Sequence, residues 1–168
     1  MRFTLALLLA LVSPAAWADP LGVFDTPEAL LQAVYDQVEA SQDWENFDFE
    51  AAFGEEEAFS ERLSALLEAA NQKAQAAGDE IGALDFSPFI NGQDSGGLKF
   101  TVNTAKIKGT MATTTVDVTL MGEPHQTIGF QLVDEGDAGW KVDDILLPWG
   151  ETQGMVRLSE FLADPEQF

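Results

Sequence analysis

The chain reads as an α+β protein, two or three helices packed on one face of a curved four-stranded antiparallel sheet, and three observations predict this. Apolar residues recur at three- and four-residue spacing through the front half. They alternate with a period of two from Leu98 onward, and residues 78–97 between the two regimes hold five glycines and one proline. Helices grouped ahead of strands give a helical layer laid against a sheet, since neither apolar face can be buried alone.

The first residues read as an export leader. Arg2 precedes an apolar run from Leu5 to Val12, Pro14 breaks it, and Ala16-Trp17-Ala18 stands before Asp19. That layout predicts cleavage after Ala18 and a periplasmic location. The apolar run is about half of the roughly 20 residues needed to cross a bilayer, and no later stretch is apolar enough to do so, so membrane insertion is not expected. Residues 19–168 are then expected to form a single domain. The sequence has no cysteine, which excludes disulfides, thiol catalysis, cysteine-bound metals and a lipid-attachment thiol.

Charge narrows the partners. All 29 acids follow the leader, against seven lysines and arginines (eight less Arg2), so residues 19–168 carry 7 − 29 = −22. A field of that sign repels phosphate backbones, so nucleic acid is not an expected partner, whereas a basic protein or a small ligand is. The excess is uneven: residues 19–97 hold 18 acids and two bases, residues 98–168 hold 11 and five. Solubility explains such a surface most simply, and the expected state is a monomer or weak homodimer.

Thr26, Pro27 and Glu28 read as an N-cap, an N1 proline and an acid on the positive helix end. The helix they open runs to about Gln42, with Leu30, Leu31, Val34 and Val38 facing the core. Trp44, Phe47, Phe49 and Phe53 alternate with acids and are expected in the core. A second helix is predicted from about Glu56 to Ala77, with Phe59, Leu63, Leu66, Leu67, Ala70 and Ala74 on one side and Gly78 as its left-handed stop. Residues 78–97 are expected to be a long loop, a length that compact domains seldom keep without a function.

Beyond it, Leu98, Phe100 and Val102 face inward, and Ala105 and Ile107 continue on the other parity, which a bulge near Asn103 or Thr104 reconciles. Val116, Val118 and Leu120, then Ile128, Phe130 and Leu132, form the inward sets of the next two strands. Turns are expected at Lys108-Gly109, Gly122-Glu123-Pro124 and Glu135-Gly136-Asp137. A fourth strand runs from Trp140 to Leu147, and Val156 to Leu162 reads as a last short helix.

Asp85-Phe86-Ser87-Pro88-Phe89 with Gln93-Asp94, and Trp140-Lys141-Val142-Asp143-Asp144-Ile145, resemble stretches of an uncharacterised family of exported bacterial proteins, domain of unknown function 3828. The resemblance implies the cone-like, cystatin-like α+β fold of nuclear transport factor 2 and the polyketide cyclases, a helical lid over a bent sheet. It implies no activity and carries no catalytic residues.

Candidate chemistry is sparse. His125, the single histidine, is expected as an exposed turn residue, which leaves no partners for a triad or a histidine-rich metal site. Asp85, Asn91, Gln93 and Asp94 offer oxygen atoms on a flexible loop, either to a hard cation or, in the weightier reading, to backbone groups of the loop itself. No metal or cofactor is assigned. Adjacent Asp143 and Asp144 should point to opposite faces. If Trp140 and Val142 face inward, Asp144 follows them into the concave side, where it would bind a ligand, act as a base with Tyr35 as donor, or form a structural hydrogen bond to the loop. Glu55, Glu56 and Glu57 read as a solvated acid run at a helix start.

The leading expectation is a non-catalytic periplasmic module that binds a peptide, protein or small ligand between helices and sheet, through Tyr35, Asp85, Asn91, Gln93, Asp94, Trp140 and Asp144. The alternatives are an immunity or inhibitor protein against a basic toxin or envelope enzyme, and an isomerase- or cyclase-like enzyme resting on Tyr35 and Asp144.

Overall fold

The computed structural model describes residues 21–48, 51–150 and 154–164. The leader at residues 1–18, and Phe49, lie outside the described residues. Among the described residues, three helices, α1 (Pro27–Ser41), α2 (Glu61–Ala76) and α3 (Leu158–Ala163), accompany six strands: β1 (Leu98–Val102), β2 (Lys106–Lys108), β3 (Met111–Leu120), β4 (Glu123–Asp134), β5 (Trp140–Pro148) and β6 (Met155–Arg157). The strands form one open antiparallel sheet in the order β1-β3-β4-β5-β6, with β2 also paired to β3.

The class is the one that the change of period predicts, but the sheet has six strands rather than four. Two local causes add the extra strands. Residues 103–105 face only Thr114 and Thr115 between the registers Val102↔Val116 and Lys106↔Thr113, so one surplus residue splits the first ribbon into β1 and β2. Residues expected to open the last helix instead form β6 against β5: Val156 pairs with Leu147 and Arg157 with Leu146, and α3 begins at Leu158.

Helix α1 follows its sequence closely. Thr26 Oγ1 accepts from the Ala29 amide at 3.1 Å, Pro27 occupies N1, and Leu30, Leu31, Val34, Tyr35 and Val38 are buried. A fully buried Leu or Val contributes about 1.5–3 kcal/mol, against about 1 kcal/mol for a cap, so the stripe rather than the cap holds α1 on the sheet. Helix α2 starts later than its composition predicts. Glu55–Ala58 forms a separate 3₁₀ turn, after which Phe59 straightens to bridge Val142 and the Ser60 amide donates to the Val142 carbonyl at 2.8 Å. Ser60 then caps α2 by accepting from the Leu63 amide at 3.1 Å. At its far end Gly78 has φ +87°, and the Gly78 and Asp79 amides return to the Gln75 and Ala74 carbonyls, the paired bonds of a Schellman stop.

Residues 78–97 are no mere connector. Phe89, fully buried, stacks on Phe59 at 5.7 Å and on Phe130 at 5.8 Å, and meets Tyr35 edge-on at 6.3 Å. Tyr35 in turn stacks on Phe100 at 4.5 Å. The loop thus supplies the centre of the aromatic core, and rings fill the seam between α1 and the sheet. The aromatic set after α1 contributes less than expected: Trp44 is 71% exposed, while Phe47 and Phe53 are half-buried.

The hairpin joining β3 and β4 turns tightly at Met121 (φ +52°) and Gly122 (φ +89°), so Glu123, Pro124 and His125 belong to β4 rather than to the turn. His125 is exposed there as the surplus residue of a bulge, since Val118 faces Gln126 and Thr119 faces Pro124.

Candidate functional site

The 3₁₀ turn at Glu55–Ala58 is fastened to β5 by two bonds: the Lys141 ammonium donates to the Glu57 carbonyl at 2.8 Å, and the Ser60 amide to Val142. Fixed in this way, the turn aims Glu55 at the central loop. The Ser87 hydroxyl lies 2.6 and 2.8 Å from the two Glu55 carboxylate oxygens. Ser87 is itself held in a short turn, exchanging backbone bonds with Gly92. Burial pushes the Glu55 carboxyl above the usual carboxylate range, the Ser87 hydrogen bond opposes that, and the charge of Glu56 adds to it.

Glu55 opens onto a cleft of about 270 Å³ between the 3₁₀ turn, α2 and the central loop. Phe59, Leu67, Leu84, Phe86 and Pro88 wall it, Ile81 stands on its rim 74% exposed, and Asn71 faces it from α2. The Asn71 side-chain oxygen accepts from the Ala83 amide at 2.8 Å, which pins the loop against α2 and leaves the amide NH₂ as a donor. A half-buried carboxylate, an amide donor and apolar walls can hold a group that carries N–H donors on an apolar stem.

The residues expected to form a ligand site do not converge. Tyr35 is buried in the core, and its hydroxyl donates to the Phe89 carbonyl at 2.8 Å. Burial, and next the charge of Glu55, hold its phenol well above its ordinary value, so it serves as a structural donor. Trp140 is buried in the core cluster, and its amide donates to the Phe24 carbonyl at 3.1 Å. Neighbouring Gly139 has φ +72°, and a Cβ there would come within 2.7 Å of that same carbonyl.

The polar loop residues hold the loop together. Asn91, at φ +48°, donates to the Pro148 carbonyl at 3.0 Å and to Gln126 at 3.1 Å; Gln93 donates to the Asp85 carbonyl at 3.0 Å; and Asp94 accepts from the Gly96 amide at 2.8 Å. The Asp85 side chain is exposed. Among the described residues, no three His, Asp or Glu side chains gather as a metal site would require.

Asp144 departs furthest from expectation. Its neighbours Trp140 and Val142 face the core, but Leu132 pairs with Val142 and Gln131 with Asp144, so Asp143 is a surplus residue that reverses the parity. Asp144 therefore shares the face of Gln131, opposite to that of Phe130 and Ile145, and does not enter the concave side. Its hydrogen bonds come from Ser159, Arg157 and the Ile145 amide rather than from the central loop, and Tyr35 donates to Phe89 instead, so the Tyr35–Asp144 pair does not form.

Glu55 itself gave no signal in the sequence, where it is one of three consecutive glutamates. Its partner Ser87 lies 32 residues away, a separation that no local pattern spans.

Compared with protein-family models, with curated proteins and with solved structures, the chain matches none.

Proposed function

We propose that this chain is an exported, non-catalytic binding module whose ligand, a peptide, protein segment or small molecule, seats against Glu55 in the cleft between the 3₁₀ turn, α2 and the central loop. The observation that carries the reading is the Glu55–Ser87 pair, a half-buried carboxylate kept beside apolar walls by a single hydroxyl donor. A carboxylate in such surroundings gains from a donor that replaces lost water, and an N–H-bearing ligand brings one. The aromatic filling of the α1–sheet seam moves the expected site from between the layers to this surface cleft. The export leader and the kinship with the uncharacterised exported family belong to the same reading.

The test is a ligand screen by ¹H–¹⁵N NMR against short peptides and aromatic amines. Hits should shift Glu55, Ser87 and Asn71 together, and Glu55→Gln should weaken them about tenfold, the loss of one charge-assisted hydrogen bond. Hits confined to other surfaces, or none, would refute the assignment.

A further inference from the structure

The Glu55 cleft does not end at α2. A second cleft, of about 440 Å³, runs along the outer face of that helix, and the two share Glu56, Leu67 and Asn71. The two adjoin at these residues, so that together their linings lead from Phe86 and Pro88 across Asn71 to Gln75. The α2 stripe from Ser64 to Gln75 spans 12 residues, 11 steps of 1.5 Å or about 16 Å. That length takes about five residues of extended chain at 3.3 Å each.

Two features of the lining say what fits. Three carboxylates, Glu55, Glu56 and Glu68, border the groove, and no lysine, arginine or histidine does so among the described residues that line it. The basic residue nearest along α2, Lys73, lines a different cleft, toward Phe161 and Leu162. Between the carboxylates, Ser64, Asn71, Gln72 and Gln75 present hydroxyl and amide groups suited to the backbone of an extended peptide, while Leu67 and Phe86 offer apolar contact.

Building on the binding role assigned to the Glu55 cleft, we infer that the occupant is an extended, basic peptide segment lying along α2, with one lysine or arginine directed to Glu55. Alternation along such a segment sends every second side chain to the groove, so basic and apolar residues that alternate among those groove-facing positions match carboxylates set among apolar walls. Complementary charge sets orientation and encounter rate more than affinity, and makes both sensitive to salt.

The experiment is a fluorescence-anisotropy and ¹H–¹⁵N NMR titration with a labelled peptide of Lys-Ser-Leu-Ser repeats, which turns lysine and leucine to the same face, and with its counterpart in which glutamate replaces lysine. The lysine peptide is expected to bind at low salt, to shift residues at both the Glu55–Phe86 and the Gln72–Gln75 ends, and to lose about tenfold in affinity in Glu56→Lys/Glu68→Lys. A control pair of equal charge change outside the groove, Asp36→Lys/Asp137→Lys on exposed positions, should lose less than about twofold. Equal losses in both variants would reduce the effect to the general field of an acidic protein and overturn the inference. Shifts at the Glu55 end alone would overturn the extended occupant while leaving the binding role of that cleft intact, and silence at Glu55 with every probe would remove both. Circular dichroism of the variants confirms that each comparison is made on folded protein.

Discussion

Asp143 and Asp144, adjacent in β5, anchor two different helices. Asp143 accepts from Arg62 Nε at 2.9 Å and Nη2 at 3.0 Å and from the Ser60 hydroxyl at 2.8 Å, at the start of α2. Asp144 accepts from the Ser159 amide at 3.1 Å, the Ser159 hydroxyl at 2.8 Å and Arg157 Nη1 at 3.1 Å, at the start of α3. Helix α3 has no capping side chain of its own at Arg157, so the strand supplies the acceptor that its first turn lacks. The bulge at Asp143 makes this double attachment available, and both carboxylates sit at positive helix ends.

The two acids should differ in their weight. Asp144 is 3% exposed and accepts four hydrogen bonds, the fourth from the Ile145 amide at 3.0 Å, whereas Arg62, the main partner of Asp143, is half in water. Removing Asp144 leaves the buried Ile145 amide and the half-buried Ser159 and Arg157 donors unpaired, at a cost of about 2–4 kcal/mol. Asp143→Ala releases a largely solvated cation and costs about 1 kcal/mol. Urea denaturation of Asp144→Ala and Asp143→Ala checks the order, and hydrogen exchange should show the larger loss concentrated in residues 155–163. Equal destabilisation would contradict it.

How far the sequence is legible follows from the range of the interactions. The stripe of α1, the Gly78 stop and the inward sets of β3 and β4 are local patterns, and burial of Leu30, Val116 and Phe130 follows them, except that Leu120, expected inward, is exposed where β3 enters the hairpin. A bulge shows in the sequence only as a change of apolar parity, which Val102 and Ala105 reveal around residues 103–105. At Asp143 the reversal falls within a pair of acids, where neither side chain marks the core face, so the side on which Asp144 lies is not legible. Phe89 occupies the core from a stretch without periodicity because its partners, Phe59, Phe130 and Tyr35, come from three other segments. The Glu55–Ser87 pair, which sets the candidate site, depends on the same tertiary placement.

Glu55 and Asp143 should shape opposite limbs of the pH–stability curve. Burial raises the folded-state pKa of Glu55 above its ordinary 4.5, so the folded protein binds the proton more tightly. Its stabilising contribution is complete below about pH 4.5 and is lost as pH rises through the folded value. For Asp143, burial pushes upward, but hydrogen bonds from Arg62 and Ser60 and the charge of Arg62 prevail, leaving it below its ordinary 3.8. Its contribution is present above that value and is lost as pH falls through the lowered one. Melting temperatures recorded from about pH 3 to about pH 8 should show Glu55→Gln gaining on the parent as pH rises past 4.5, and Asp143→Asn flattening only the acid limb. A parent and Glu55→Gln pair that ran parallel across the whole range would count against a raised Glu55.

The free edge of the sheet offers a last test. Among the described residues, strands β1 and β2 pair only with β3, so their outer backbone edge carries no further strand. In β2 the defence is charge, since exposed Lys106 and Lys108 flank Ile107. In β1 it is α1: Glu39 accepts from the Phe100 amide at 3.3 Å and from Lys99 Nζ at 2.6 Å, Glu28 accepts from the Ala105 amide at 2.8 Å, and Gln42 donates to the Leu98 carbonyl at 3.1 Å. These side chains occupy the sites that an incoming strand would use. Glu28→Ala/Glu39→Ala/Gln42→Ala should lose only about 1–3 kcal/mol, because the apolar stripe still holds α1 and the exposed groups regain water. Its main effect should be self-association that grows with protein concentration, read by light scattering after size exclusion, with the parent's elution unchanged over the same range. If the triple variant elutes like the parent at every concentration, these α1 side chains are dispensable as an edge guard, and the lysines of β2 suffice.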